Sequence, residues 1–242
     1  MNILGISCYY HDSAACLVKD GVPVAAAQEE RFNREKNSSA FPIQSINYCV
    51  QDSNLSFNDI DCIAFFEKPH LKFSRVIVDH LRAFPFSFGN FLTSMPHWLQ
   101  DRLILPLVLK RELSYEGDVY FFDHHLSHAA STFLISPFKE AAFITADGVG
   151  EWATMTWGKG DGNSIKPMKE LRYPDSLGLI YTALTAFLGF RANSGEGKTM
   201  GLASYGKPTY IDKFREMVEV KEDGSIRIDR RYFPFNKGKR MY

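Results

Sequence analysis

Asn2-Ile3-Leu4-Gly5-Ile6-Ser7-Cys8-Tyr9-Tyr10-His11-Asp12-Ser13-Ala14-Ala15-Cys16-Leu17-Val18-Lys19-Asp20-Gly21-Val22-Pro23-Val24-Ala25-Ala26-Ala27-Gln28 opens the chain. It reads as a strand over 2–8, a polar turn over 9–13, a strand over 14–19, an Asp20-Gly21 hairpin turn and a third strand over 22–28. The same order returns about 140 residues later. Ala141 to Ala146 is a strand, Asp147-Gly148-Val149-Gly150-Glu151 a turn, Ala153 to Gly158 a strand, and Lys159-Gly160-Asp161-Gly162-Asn163 a turn before Ser164 to Tyr173. Two such units predict a duplicated, two-lobed architecture. The first lobe is expected over 1–137 and the start of an incomplete second lobe over 138–242.

Between the two units, 42–52 has helical spacing and 61–66 is a buried strand. A helical insertion is expected over about 70–113, broken at Pro85, Pro96 and Pro106, and a short strand over 119–122 follows. Helices are expected over 178–188 and 210–219, with a Gly-rich loop holding a short helix over 193–207. Alternating strands and helices place the chain in the α/β class, with a mixed sheet in each lobe.

That last strand runs into Asp123-His124-His125-Leu126-Ser127-His128-Ala129-Ala130-Ser131. Asp123 reads as a helix N-cap, and Leu126, Ala129, Ala130, Phe133 and Leu134 as an apolar complement. Residues four apart share a helix face, so His124 and His128 can grip one ion, while His125 points about 100° away. Asp147, in a strand-end turn nineteen residues beyond His128, offers a carboxylate. Buried or capping imidazoles are the plainer alternative for any one of these histidines. Two imidazoles plus a carboxylate with an open position suit iron, zinc or manganese.

Composition narrows the field. Lys+Arg and Asp+Glu are both 28, so the formal net charge is zero and no field for nucleic acid or an acidic membrane is evident. A hydrophobic content of 45% with 20 phenylalanines indicates a folded, well-buried chain. Cys8, Cys16, Cys49 and Cys62 form no C-x-x-C pair and read as thiols of a cytoplasmic protein. No signal peptide is visible, and the apolar run 103–109 contains Pro106 and is far short of a membrane span.

Three further groups are candidates for chemistry. His11 and Asp12 lie in the first turn, where a nucleotide-binding lobe presents groups to phosphate; an ordinary polar turn is the alternative. Glu29-Glu30-Arg31-Phe32-Asn33-Arg34-Glu35-Lys36 reads as a solvated charged segment from which Arg34 or Lys36 could reach an anion. Ser194-Gly195-Glu196-Gly197-Lys198-Thr199 mimics a P-loop, but the first glycine of that pattern falls on Ala192 and a helix precedes it, so the P-loop is rejected. A glycine-bearing loop that a nucleotide could approach closely remains, as does a simple tight turn.

Four segments together resemble the amino-terminal domain of the NodU/CmcH carbamoyltransferase family. They are Ile3-Leu4-Gly5-Ile6 with His11-Asp12-Ser13-Ala14-Ala15; Glu29-Glu30-Arg31-Phe32 with Arg34 and Lys36; Asp123-His124-His125-Leu126-Ser127-His128-Ala129; and Gly195-Glu196-Gly197-Lys198-Thr199-Met200-Gly201-Leu202-Ala203. The resemblance implies duplicated ribonuclease-H-like lobes of the actin/hexokinase/Hsp70 type. It also implies a similarity to the tRNA threonylcarbamoyl-transfer enzyme, which has an H-x-x-x-H metal pair.

The implied reaction has two steps. Carbamoyl phosphate and ATP give carbamoyl-adenylate in a YrdC-like domain expected in the same full-length chain, and the carbamoyl group then passes to a hydroxyl of a sugar or secondary metabolite. By position, His124, His128 and Asp147 would ligate iron, with one more aspartate ligand further downstream and absent here, so the chain is expected to be a fragment. Asp12, Lys36, Gly195, Gly197, Lys198 and Gly201 would contact nucleotide, and His11 would remove the hydroxyl proton. The alternative is a small-molecule kinase of the same duplicated fold. A tRNA-modifying enzyme is disfavoured by the neutral charge, and a non-catalytic nucleotide-binding module is the third rival.

Overall fold

The computed structural model describes residues 1–235. By contacts the chain divides into two units, Met1–His70 with Ser94–Asp123, and Leu71–Thr93 with His124–Tyr242. This division places the histidine helix in the second unit, whereas the sequence boundary at 137/138 keeps it in the first.

The first unit is built on β1 (Asn2–Ser7), β2 (Ala14–Lys19), β3 (Val22–Gln28), β4 (Cys62–Phe65) and β5 (Asp118–Phe121), in the order β3-β2-β1-β4-β5. The β1–β2 and β2–β3 pairs are antiparallel and the β1–β4 and β4–β5 pairs parallel, so the sheet is mixed, as expected. Register aligns Leu17, Leu4, Ile63 and Val119 in one row and Ala15, Ile6, Phe65 and Phe121 in the next. Side chains alternate in a strand, so both rows share one face. That face is covered through Ile46, Cys49 and Val50 of α2 (Ile43–Asp52), spaced i, i+3, i+4; α1 (Glu30–Asn33) is a single turn before it. Leu105, Leu109 and Leu113 of α5 (Leu105–Leu113) join the same core.

Between β4 and α5 run α3 (Pro69–Arg82) and α4 (Phe88–His97). Pro85 separates them, and Pro106 sits in the first turn of α5, where its missing N–H costs nothing. Pro96 does not break α4, contrary to the reading of the sequence. It lies in the last turn, and the chain continues as a π-helical turn, Trp98–Arg102, in which Leu103 N–H reaches back to the Trp98 carbonyl at 3.1 Å.

After its Leu71–Thr93 segment the second unit continues with α6 (His124–Phe133), β6 (Glu140–Ala146), β7 (Ala153–Asp161) and β8 (Ser164–Arg172). These strands form a three-stranded, wholly antiparallel sheet, not the mixed sheet expected of a second lobe, because no parallel neighbour of β6 exists among the described residues. Helices α7 (Leu177–Phe187), α8 (Glu196–Ala203) and α9 (Ile211–Met217) follow. The helix expected to run to 219 ends two residues early. Val218-Glu219-Val220 (β9) pairs instead with Ile226-Arg227-Ile228 (β10) around an Asp223-Gly224 turn, where Gly224 takes φ 77°.

Tyr173, Leu179, Ile180, Ile226, Ile228, Phe233 and Phe235 make the second core. The last stretch of the expected second lobe, 236–242, lies outside the described residues. No helix among the described residues is long and apolar enough to cross a membrane.

Candidate metal centre

Helix α6 lies against its own unit's sheet because a glycine leaves room for it. A Cβ at Gly160 of β7 would meet the Phe133 ring at 2.5 Å, so only glycine admits that ring at the helix C-terminal end. At the other end a Cβ on Gly150 would meet His124 Cβ at 3.0 Å and His125 Cδ2 at 3.2 Å, so the Asp147–Glu151 loop closes tightly on the histidines.

Three donor atoms converge there. His124 Nε2 lies 2.7 Å from Asp147 Oδ2 and 3.1 Å from His128 Nε2, and His128 Nε2 lies 3.8 Å from the same carboxylate oxygen. All three fall within 4.8 Å of one another. Metal–nitrogen bonds of about 2.0–2.1 Å place neighbouring ligand atoms roughly 3 Å apart, so these separations fit one ion. The His124 side chain is 10% exposed and the His128 side chain 53%, leaving one side of the cluster open.

Asp147 is oriented for this. Its Oδ1 accepts the Gly148 N–H at 2.6 Å, leaving Oδ2 for the histidines. Burial by itself would raise the carboxyl, but hydrogen bonds from His124 and His128, with the His124 charge and the Gly148 N–H, hold it well below the usual carboxylate range. Carboxylate is the ligating form.

His125 belongs to the scaffold. Its Nε2 lies 3.0 Å from the Ala153 carbonyl, which only accepts, so Nε2 carries the proton. Burial and the neighbouring His124 charge push its pKa down, so the ring is neutral and Nδ1 accepts from the Thr145 hydroxyl at 2.7 Å. The ring thereby ties α6 to both β6 and β7.

Several supports carried no obvious sequence signal. The His124 N–H is met by the Glu151 carboxylate, while Asp123, read as the N-cap, accepts from Lys68 Nζ at 2.8 Å within the first unit. The Ser176 hydroxyl bridges to the Gly148 carbonyl at 2.6 Å and accepts the Leu179 N–H at 3.0 Å, capping α7 against the Asp147 loop. A Cβ on Gly178 would strike the Asp147 backbone at 2.5 Å.

The other candidates fall in two places. His11, Asp12 and Lys36 belong to the first unit. There His11 Nδ1 pairs with Asp12 Oδ2 at 2.7 Å, and Asn37 Nδ2 donates to Asp12 Oδ1 at 2.9 Å. Asp12 thus orients an exposed imidazole; Lys36 is exposed. The preceding charged run is not all solvated: Glu29 is 2% exposed, and its carboxylate accepts the Ser45 N–H at 2.8 Å, the Ser45 hydroxyl at 2.9 Å and the Gln44 side-chain amide at 3.2 Å, anchoring α2.

Gly195, Gly197, Lys198 and Gly201 lie at or in α8 of the second unit. Gly197 and Gly201 face open space, and Lys198 is exposed. Gly195 has a packing reason, since its Cβ would meet the Arg191 carbonyl at 2.7 Å.

The family described as carbamoyltransferase N-terminus matches residues 2–242. The chain is 48% identical over 249 aligned residues to an uncharacterized protein of Synechocystis sp., covering 99% of this chain and 40% of that protein. It is 37% identical to the nodulation protein NolNO of Sinorhizobium fredii over 91% of this chain and 32% of that protein. With the nodulation protein NolO of Bradyrhizobium diazoefficiens it shares 33% identity over 44% of this chain and 19% of that protein. The chain therefore spans less than half the length of these relatives. With the family match running over all but its first residue, the chain belongs to the carbamoyltransferase family, as its amino-terminal domain.

Proposed function

We propose that this chain is the acyl-transfer half of an O-carbamoyltransferase. It takes the carbamoyl group from carbamoyl-adenylate, made from carbamoyl phosphate and ATP, and passes it to a hydroxyl of a sugar or secondary metabolite. The observation that carries the reading is the convergence of His124, His128 and Asp147 in a chain of this family. The greater length of the relatives leaves room for the YrdC-like domain that would make the adenylate. The three-stranded antiparallel meander in each unit, β1 to β3 and β6 to β8, supports duplicated ribonuclease-H-like lobes.

In this proposal His124, His128 and Asp147 hold a divalent metal, which we assign as iron on the family resemblance, the donor set itself suiting iron, zinc or manganese. When bound, the metal supplies Lewis-acid stabilisation of charge developing on the carbamoyl carbonyl or the phosphate. Asp147 and the buried His124 keep the donors in place before substrate arrives, which is where preorganisation contributes to rate.

His11 removes the acceptor proton, with Asp12 holding Nδ1 so that Nε2 faces outward as the base; such help contributes about 10² to 10⁴ in rate. Lys198, Gly197 and Gly201 of the second unit are assigned to the nucleotide, the glycines because nothing blocks close approach to their backbone.

The test is carbamoyl-phosphate-dependent exchange of labelled pyrophosphate into ATP by the gene's complete product, alongside carbamoyl transfer to a hydroxylated acceptor. His11→Ala and His128→Ala should retain exchange and lose transfer. No exchange by the unmodified protein overturns the carbamoyl-adenylate route.

A further inference from the structure

The loop that carries Asp147 ends at Glu151, which is 6% exposed and is not among the three converging donors. Both of its carboxylate oxygens lie 3.2 Å from the backbone nitrogen of His124, the first residue of α6. The first N–H groups of a helix have no acceptor within the helix, and a negative charge at that end is favoured by the aligned peptide dipoles. Glu151 is fixed at its backbone as well. Its carbonyl accepts from Arg75 Nε at 2.6 Å. Arg75 is 3% exposed, donates through Nη1 to Asp79 at 3.2 Å and lies over the Tyr173 ring at 5.4 Å.

A single residue thus joins the two elements that bear the donors. Asp147 sits four residues upstream on the loop whose end Arg75 pins, and the Glu151 side chain grips the main chain of His124. We propose that Glu151 is a positioning residue of the metal centre, setting the span between the Asp147 loop and the His124–His128 face, with Arg75 of α3 holding it in place. The inference rests on the metal reading above and deepens it. Glu151 acts through His124 and is not itself a ligand, since its carboxylate is turned to a backbone N–H.

The experiment is Co²⁺ binding to the metal-free 242-residue chain. The cobalt d–d absorption reports ligand geometry, and competition with a chelator reports affinity. Glu151→Ala should weaken binding about 10- to 100-fold, the usual cost of losing an outer support, and alter the d–d bands. Glu151→Gln keeps an acceptor oxygen at the same reach and should stay within about threefold of the parent, well short of that loss.

Should the alanine variant fail to fold, Glu151→Asp carries the test: a carboxylate one methylene short should bind Co²⁺ more weakly than Glu151→Gln. A helix cap that served stability alone would lower the melting temperature of the metal-free chain and leave the cobalt bands where they were. Parent-like affinity and bands in Glu151→Ala, or in Glu151→Asp, overturn the inference while the metal reading stands, provided that the parent binds Co²⁺ and His128→Ala does not. A parent chain that takes up no Co²⁺ overturns both.

Discussion

Neighbouring histidines of α6 do opposite work, and mutation should separate them. His125 is 4% exposed and makes two hydrogen bonds inside the scaffold, whereas the His128 side chain is 53% exposed and turns its Nε2 to the cluster. Replacing His125 with leucine removes both bonds, at about 0.5–1.5 kcal/mol each, since the Thr145 hydroxyl keeps the Thr156 carbonyl and the Ala153 carbonyl keeps the Gly150 N–H. The expected outcome in urea denaturation is a marked loss of stability with the three donor residues still present. His128→Ala should change stability little and abolish Co²⁺ binding; retention of the metal would remove His128 from the centre. The i, i+4 pair was legible because helical spacing alone puts two imidazoles on one face. The work of His125 was not, because it depends on β6 and β7 partners 20 and 28 residues away. Glu29 was hidden in the same way, since a charged run gives no sign that one carboxylate in it will be surrounded by α2. Cys49 offers a test of burial by pH. Desolvation, reinforced by Cys16, pushes its thiol up to about 11. The native state therefore keeps a proton that the unfolded chain releases near pH 9, so this part of the stability is present below pH 9 and is lost as pH rises toward 11. The melting temperature of the parent should fall faster over that window than that of Cys49→Ala; parallel curves would show that the thiol is not so perturbed.

Among the elements, α6 is the one whose seating decides whether donors from a helix and a loop can meet, and its seating depends on glycines. At Gly160 an added methyl would lie 2.5 Å from the Phe133 ring, which is 5% exposed and walled in. Gly160→Ala should therefore cost about 1–3 kcal/mol, as overpacking commonly does. Because the displaced ring belongs to α6, Co²⁺ affinity should fall with stability. Equilibrium unfolding and metal titration of the same variant check both, and a variant of unchanged stability would show that Phe133 yields freely. The sequence marked Gly160 as part of a turn, but it lies inside β7, because strand pairing continues through Asp161 opposite Ser164. The hairpin at the end of the chain was missed for a related reason. Ile211 to Met217 has a helical pattern, and the alternation Val218-Glu219-Val220 is too short to announce a strand until Ile226-Arg227-Ile228 is seen across the Asp223-Gly224 turn. Elements whose partners are adjacent in sequence, such as β1 to β3, were read correctly. β4 and β5, whose partners are distant, were read too, as short apolar runs; β9 and β10, three residues each, were not.

At the scale of the whole molecule, the two sheets were legible as repeated strand–turn–strand grammar, but their completeness was not. Parallel neighbours arrive late, β4 after 54 residues beyond β1 and β5 after 52 beyond β4, and no local pattern says whether β6 will acquire one. This asymmetry has an energetic consequence. All three candidate ligands come from α6 and the loop between β6 and β7, inside one unit, and none comes from the five-stranded sheet. A ligand that binds only the closed state stabilises by RT ln(1 + [L]/Kd), about 2.7 kcal/mol at a hundredfold excess over Kd, and it does so only against openings that break its site. Adding Co²⁺ to the metal-free chain should therefore slow amide hydrogen exchange over 124–133 and 145–156 by up to about a hundredfold, and a chelator should reverse it. Amides of β1, β2 and β4, whose hydrogen bonds lie wholly in the first sheet, should exchange at unchanged rates. Equal protection of both sheets would mean that the site opens only when the entire chain unfolds. Protection confined to the second unit would establish that this unit assembles the metal centre from its own residues.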